Sequence, residues 1–175
     1  MNKLYYILIT FILFSFNQNL FSQNYLKDVQ SVENIMSALT EVISGPADQE
    51  RDWERFKFLF SEDAKLIPTL INEEGEISYN YWTPQEYIDM YKKYREGTAF
   101  YEQELNRITE EFGNIVHCFS TYAVRTEKNG PVQRRGINSI QILRDKDRYY
   151  IMNVFWSNES ENDKLTSKYL PKNKK

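Results

Sequence analysis

From Ala99 to Ser157 the chain runs through four long extended segments separated by turns of only a few residues. The segments cover 99–111, 114–127, 132–145 and 148–157, and Phe112-Gly113, Lys128-Asn129-Gly130-Pro131 and Lys146-Asp147 separate them. Connections this short join antiparallel neighbours, because a parallel pair needs a crossover of about a dozen residues. Asn129-Gly130 is the strongest hairpin signal among them. The second half of the chain therefore predicts an antiparallel meander, and whatever precedes it must pack on one face of that sheet.

What precedes it is mostly helical in period. Val29, Val32, Ile35, Met36, Leu39 and Ile43 recur at three- and four-residue spacing and predict a helix over 26–44, ended by Gly45-Pro46. Trp53, Phe56, Leu59 and Phe60 predict a second over 49–60, with Asp48 as N-cap. Residues 64–71 read as a strand, and Pro68 inside it predicts an edge position. A turn over 72–76 and a short extended piece over 77–82 follow. Thr83-Pro84-Gln85-Glu86 is a capping box with proline at the first helical position, opening a third helix with Tyr87, Ile88, Tyr91 and Tyr94 that Gly97 stops. Helices first and strands after is the α+β order. The expected domain spans 26–158, and the polar segment 159–175 is expected to fray.

Ahead of the domain, Met1-Asn2-Lys3 is a cationic start, Leu4 to Phe16 an apolar run, and Leu20-Phe21-Ser22 a small-residue end. This predicts a secretory signal peptide over 1–22 and an exported, periplasmic or extracellular domain. The apolar run is too short for a membrane-spanning helix, which needs about 20 residues. The lone cysteine, Cys118, has no partner for an internal disulfide and sits in an alternating apolar stretch, where a buried inert thiol is expected. One histidine and one cysteine argue against a zinc site. A net charge of −3 with interspersed signs and no basic stripe argues against nucleic acid. Glycine-rich phosphate loops are absent, so no nucleotide and no cofactor is expected.

The run Phe112-Gly113-Asn114-Ile115-Val116-His117-Cys118-Phe119-Ser120-Thr121-Tyr122, then Arg134-Arg135-Gly136-Ile137-Asn138-Ser139-Ile140-Gln141, then Arg148-Tyr149-Tyr150-Ile151 ending in Trp156, resembles the nuclear transport factor 2-like superfamily, and within it small bacterial SnoaL-like members. Ser61-Glu62-Asp63-Ala64, leading into the first strand, fits the same plan. The resemblance covers residues 28–158. It implies N-terminal helices packed in the concave face of a strongly bent antiparallel sheet, a cone with a pocket inside. Members include isomerases, dehydratases and cyclases as well as proteins that only bind or dimerise, so the resemblance implies a fold and not an activity.

Two-residue loops would pair Glu111 with Asn114, Lys128 with Pro131 and Asp145 with Arg148. Directly paired residues share a face. One face then holds Glu104, Thr121, Asn138 and Phe155 in a row, Asn106, Phe119, Ile140 and Asn153 in the next, and Ile108, His117, Ile142 and Ile151 beyond. Both faces are mixed in character. The larger aliphatics Ile108, Ile115, Ile140, Ile142 and Ile151 favour this one as concave, and a one-residue bulge would reverse part of it.

In that register Glu104 and His117 are the candidate catalytic pair, and Asn106, Phe119, Thr121, Asn138, Asn153 and Phe155 the candidate ligand-binding residues, with Glu102 at the same polar end. A carboxylate against an apolar wall suits general acid–base work, and Asn138 or His117 could donate to a developing oxyanion. The alternatives are structural: a hydrogen-bonded histidine in a strand, and glutamates on a solvated edge. Three functions stay open on the residues alone. They are a binding domain for a small apolar or carbonyl-bearing molecule, a cofactor-independent isomerase or dehydratase, and a homodimer joined through the convex sheet face.

Overall fold

The structure is a computed structural model that describes residues 25–72 and 74–172. The expected signal peptide lies outside the described residues. A 3-10 turn, Leu26–Val29, precedes helix α1, Val32–Ile43. The continuous helix expected over 26–44 is split because Ser31 caps the second piece, accepting from the Asn34 N–H at 3.1 Å. Helix α2, Trp53–Phe58, starts later than expected, capped by Asp52 instead of Asp48. The intervening loop is held by Arg51, which is buried. Its guanidinium donates to the carbonyls of Ile43 (3.1 Å), Gly45 (2.8 Å) and Gln49 (2.8 Å), satisfying backbone acceptors left free at the end of α1. Helix α3, Pro84–Arg95, forms as its capping box predicts, with both reciprocal bonds present. Gly97, at φ +74°, turns the chain away after it.

Among the described residues there are six strands: β1 Phe60–Ile71, β2 Ile77–Tyr79, β3 Tyr101–Phe112, β4 Ile115–Arg125, β5 Arg134–Arg144 and β6 Tyr149–Asn158. The last four follow the expected positions closely, and β1 starts four residues early, taking in Phe60 from the expected second helix and residues 61–63. Their order across the curled sheet is β2-β1-β6-β5-β4-β3. Strands β3 to β6 form the antiparallel meander, and β1 runs parallel to β6. Pro68 does not mark an edge. It lies between β6 and the Ile77–Trp82 segment, its carbonyl accepting from Asn80 at 3.3 Å. Proline has no N–H to give, and the neighbouring Thr69 hydroxyl donates to the Trp156 carbonyl at 3.0 Å.

The register differs from the two-residue-loop expectation, and the difference decides which side chains face the helices. Gly113, at φ +59°, and Asn114 make the β3–β4 turn, so Phe112 pairs with Ile115. The β4–β5 connection is a wider loop across 126–133, and Ser120, not Thr121, pairs with Asn138. Only the last turn pairs as expected, the Asp145 N–H donating to the Arg148 carbonyl at 2.9 Å. Two bulges complete the change. Leu105 has no partner between Glu104↔Tyr122 and Asn106↔Thr121, and Met152 has none between Ile142↔Ile151 and Gln141↔Asn153.

The inner face consequently carries Val116, Cys118, Tyr122 and Val124 from β4, Ile140 and Ile142 from β5, and Ile151 and Val154 from β6. These pack with Ile35, Leu39, Phe56 and Leu59 into the core. Phe56 is fully buried and stacks on Tyr87 at 5.3 Å between ring centroids. Burying each such side chain stabilises the fold by about 1.5–3 kcal/mol. Ile115, expected inside, is 58% exposed, and Ile108 pairs with Phe119 on the outer face. Burial raises the Cys118 thiol pKa, as suits an inert thiol.

The C-terminal segment is seated on that outer face, where fraying was expected. Arg135 forks onto Glu159 at 2.9 and 3.1 Å. Glu159 also accepts from the Leu165 N–H at 3.1 Å. A 3-10 turn, Ser167–Tyr169, then brings the Tyr169 carbonyl to the Thr121 hydroxyl at 2.6 Å and its ring to Phe119 at 5.2 Å. Among the described residues no helix is long and apolar enough to cross a membrane.

Candidate functional site

A cavity of about 350 Å³ opens between α3 and the inner face of the sheet. Volumes of this order suit small organic ligands. Leu39 and Ile43 of α1, Phe56, Leu66, Phe100 and Val154 form its apolar wall. Tyr87, Met90, Tyr91 and Tyr94 of α3 face them, and Trp82 and Trp156 approach each other at 6.4 Å. The α3 residues reach one wall because their three- and four-residue spacing places them on one side of the helix. Trp82 is held by an isolated antiparallel bridge to Leu66, with N–H···O distances of 2.8 and 3.0 Å.

The polar groups of the cavity come from β3, β5 and the end of α3. Glu102 stands at the start of β3, Arg134 opens β5, Asn138 lies two inward positions further along, and Arg95 closes α3. Glu102, Val124 and Arg134 occupy one row across the sheet. Asn138 Nδ2 donates to Glu102 Oε1 at 3.3 Å. Burial pushes the Glu102 carboxyl up to about 7, against the opposing pull of the Asn138 amide and the Arg134 and Arg95 charges. Tyr122 and Tyr87 are likewise raised, chiefly by burial, so both phenols stay neutral near neutral pH. Tyr122 donates to Asn158 Oδ1 at 2.8 Å, which orients the ring over Gly136. A Cβ on Gly136 would come within 2.2 Å of the Ser157 carbonyl and 2.5 Å of the Tyr122 hydroxyl. Glycine is thus required for the close approach that shapes this end of the cavity.

The structure distributes the sequence-predicted residues over both faces. Asn138 lines the cavity. Glu104 is on the inner face outside the cavity, accepting from the Ser120 hydroxyl at 2.6 Å and facing Arg107 at 3.5 Å. Arg107 in turn reaches the N-terminal end of α1, through the Val32 carbonyl. His117 pairs with Glu110 on the outer face and bonds the Ser139 hydroxyl at 2.9 Å. Glu104 and His117 are therefore on opposite sides of the sheet and form no pair. Asn106, Phe119 and Thr121 are on the outer face, Phe119 and Thr121 under the C-terminal segment. Beyond the Met152 bulge, Asn153 and Phe155 point outward, and Asn153 bonds Gln141 at 2.8 Å. The physical reason is the one-residue change of register across the β4–β5 loop together with the Leu105 and Met152 bulges, whereas the two-residue change at the β3–β4 turn leaves the facing as it was. Arg95, Tyr122, Arg134 and Trp156 were not among the candidates. Val154, Trp156 and Asn158 line the cavity because Met152 reverses the alternation of β6. Among the described residues no group of three or more His, Cys, Asp or Glu side chains is placed to hold a metal ion.

No protein-family model and no curated protein matches the chain. Solved structures do. A protein of unknown function with a cystatin-like fold from Nostoc punctiforme is 14% identical, with a TM-score of 0.52 over 73% of this chain and 90% of that one. A protein of unknown function from Mycobacterium tuberculosis is 15% identical, with a TM-score of 0.54 over 75% and 72%. A structure from Parabacteroides distasonis described as a "putative ketosteroid isomerase" is 14% identical, with a TM-score of 0.52 over 78% and 99%. Identities this low carry the fold alone. The chain has the α+β cone of the nuclear transport factor 2-like fold.

Proposed function

We propose that this domain, exported as its N-terminal sequence predicts, binds a small molecule in the cavity beneath α3, and that Glu102 exchanges a proton with it. The observation that carries the reading is the convergence of one carboxyl, two amides and two guanidinium groups on an apolar cavity. An acid balanced near 7 can both accept and donate a proton at neutral pH. For a carbonyl-bearing ligand, the Glu102 carboxylate would take a proton from the carbon beside the carbonyl. The electron pair then moves into the carbonyl oxygen, where the second Asn138 N–H is available as donor. Returning the proton to another carbon completes an isomerisation with no external oxidant or reductant. The Parabacteroides description names a reaction of this type, which supports the reading by analogy of fold only.

The test uses 2-tetralone, an apolar aromatic ketone, in deuterated water, with loss of the protons beside the carbonyl followed by NMR. The native protein should speed the exchange, and Glu102→Gln should slow it about 100-fold or more. Equal rates with the native protein and the variant would remove Glu102 from the chemistry. A homodimer joined through the outer face would use Phe112, Ile115 and Phe155, which the C-terminal segment leaves exposed.

A further inference from the structure

The charge balance of the cavity says more about its occupant. Arg95 and Arg134 line the cavity, and Glu102 is the one carboxyl among its lining residues. Among the described residues neither arginine has a carboxylate oxygen within ion-pair distance, although Arg55, Arg107 and Arg135 all do. The Arg134 Nε is buried and has no hydrogen-bond partner among the described residues. A buried donor without an acceptor costs about 1–3 kcal/mol, and an arginine aligns its donors for a planar, two-oxygen acceptor. Arg95 is held with its guanidinium carbon 5.0 Å from the Phe100 ring centroid, its charge delivered from the last turn of α3. Glu102, with its carboxyl pushed up to about 7, offsets only part of this positive charge at neutral pH. Trp82, Tyr87, Tyr94 and Trp156 give the remaining walls flat aromatic surfaces beside the aliphatic Leu39, Ile43, Leu66 and Val154.

We infer that the ligand of this cavity is an apolar, planar carboxylate, its anionic group seated between Arg95 and Arg134 and its ring system lying along Trp82, Tyr87 and Trp156. The inference rests on reading the cavity as a small-molecule site and specifies the chemical class that site selects. The two arginines set the class, and the aromatic walls set the shape. A neutral molecule of the same outline would leave the Arg134 Nε without its strongest acceptor, and a short polar anion would leave the aromatic walls unfilled.

Isothermal titration calorimetry with 2-naphthoate and 2-naphthamide separates these elements, because the two share a ring and differ in charge. The native protein should bind 2-naphthoate at least about tenfold more tightly than 2-naphthamide. Arg134→Gln and Arg95→Gln should each weaken 2-naphthoate binding more than 2-naphthamide binding and so erode that preference. Arg134→Lys, which keeps the charge and loses the paired donors, should retain part of it, more than Arg134→Gln does, so a fold defect in the glutamine variant would not be mistaken for a lost anion site. Equal binding of the two probes, or a preference that survives both glutamine substitutions, would overturn the anion assignment and leave the cavity as a neutral-ligand site. No heat from either probe at millimolar concentration would overturn the small-molecule reading and the carboxylate class with it.

Discussion

Replacing Glu102 by glutamine should change how the stability of the domain depends on pH. In the unfolded chain its carboxyl titrates near 4.5, and in the folded state burial pushes it up to about 7. Below the lower value both states hold the proton and the site costs nothing. Between the two values the unfolded chain has released a proton that the native state retains, so stability falls as pH rises. Above the upper value both states are ionised and the penalty is constant. Linkage over the interval from pH 5 to pH 8 gives a loss of about 2.5 kcal/mol, an upper figure because the carboxyl lines an open cavity where solvent screens it. For a domain of this size that is a fall in melting temperature of about 5–10 °C. Glutamine keeps the shape and the capacity to accept from Asn138, and removes the titration. Urea unfolding of both proteins at pH 5 and pH 8 isolates the effect, since other titrating groups cancel in the double difference. Glu102→Gln should gain up to about 2.5 kcal/mol relative to the native protein on going to pH 8. A double difference under about 0.5 kcal/mol would refute the buried, proton-retaining carboxyl and the acid–base role built on it.

Further outcomes follow from the same geometry. Gly136→Ala would force its Cβ against the Ser157 carbonyl and the Tyr122 ring, and should lower stability by about 1–3 kcal/mol or more in a denaturant titration. Thr121→Val removes the hydroxyl that donates to Tyr169, and should raise amide hydrogen exchange across 159–170 while leaving exchange in the core strands unchanged. Uniform protection in the variant would show that the segment is held by other contacts. Expression of the full chain in a secreting bacterial host should yield a periplasmic or extracellular product whose intact mass begins after Ser22, and a mass including Met1 would sink the signal-peptide reading.

The class of fold was legible because it depends on features that survive small errors. The capping box at Thr83 and the four strand segments survive a shift of one residue. The facing of each strand does not. Side chains alternate with period 2, so one unpaired residue sends every later one to the other side. Met152 does this in β6, bringing Trp156 to the cavity and turning Phe155 away. Nothing in Tyr149-Tyr150-Ile151-Met152-Asn153-Val154 announces the bulge, because both faces of β6 carry apolar residues. The Asn129-Gly130 signal misled for a related reason. The turn forms locally, Gly130 N–H bonding the Glu127 carbonyl at 3.0 Å, but inside a longer loop. Asn138 faces inward as expected because the errors on either side of β5 left its own parity intact.

The strap made by residues 159–170 has a practical consequence. It carries the chain from the end of β6 across the outer surface, so that Tyr169 sits on the side of the sheet opposite the cavity. The sheet stands between that point and Glu102. Tethering the protein by its C-terminal end would thus leave the cavity free for ligand, which suits surface-based binding assays. A bulky fusion at that end would instead press on Tyr169 and load the Thr121 contact, and its first symptom would be a bared outer surface and not a blocked pocket.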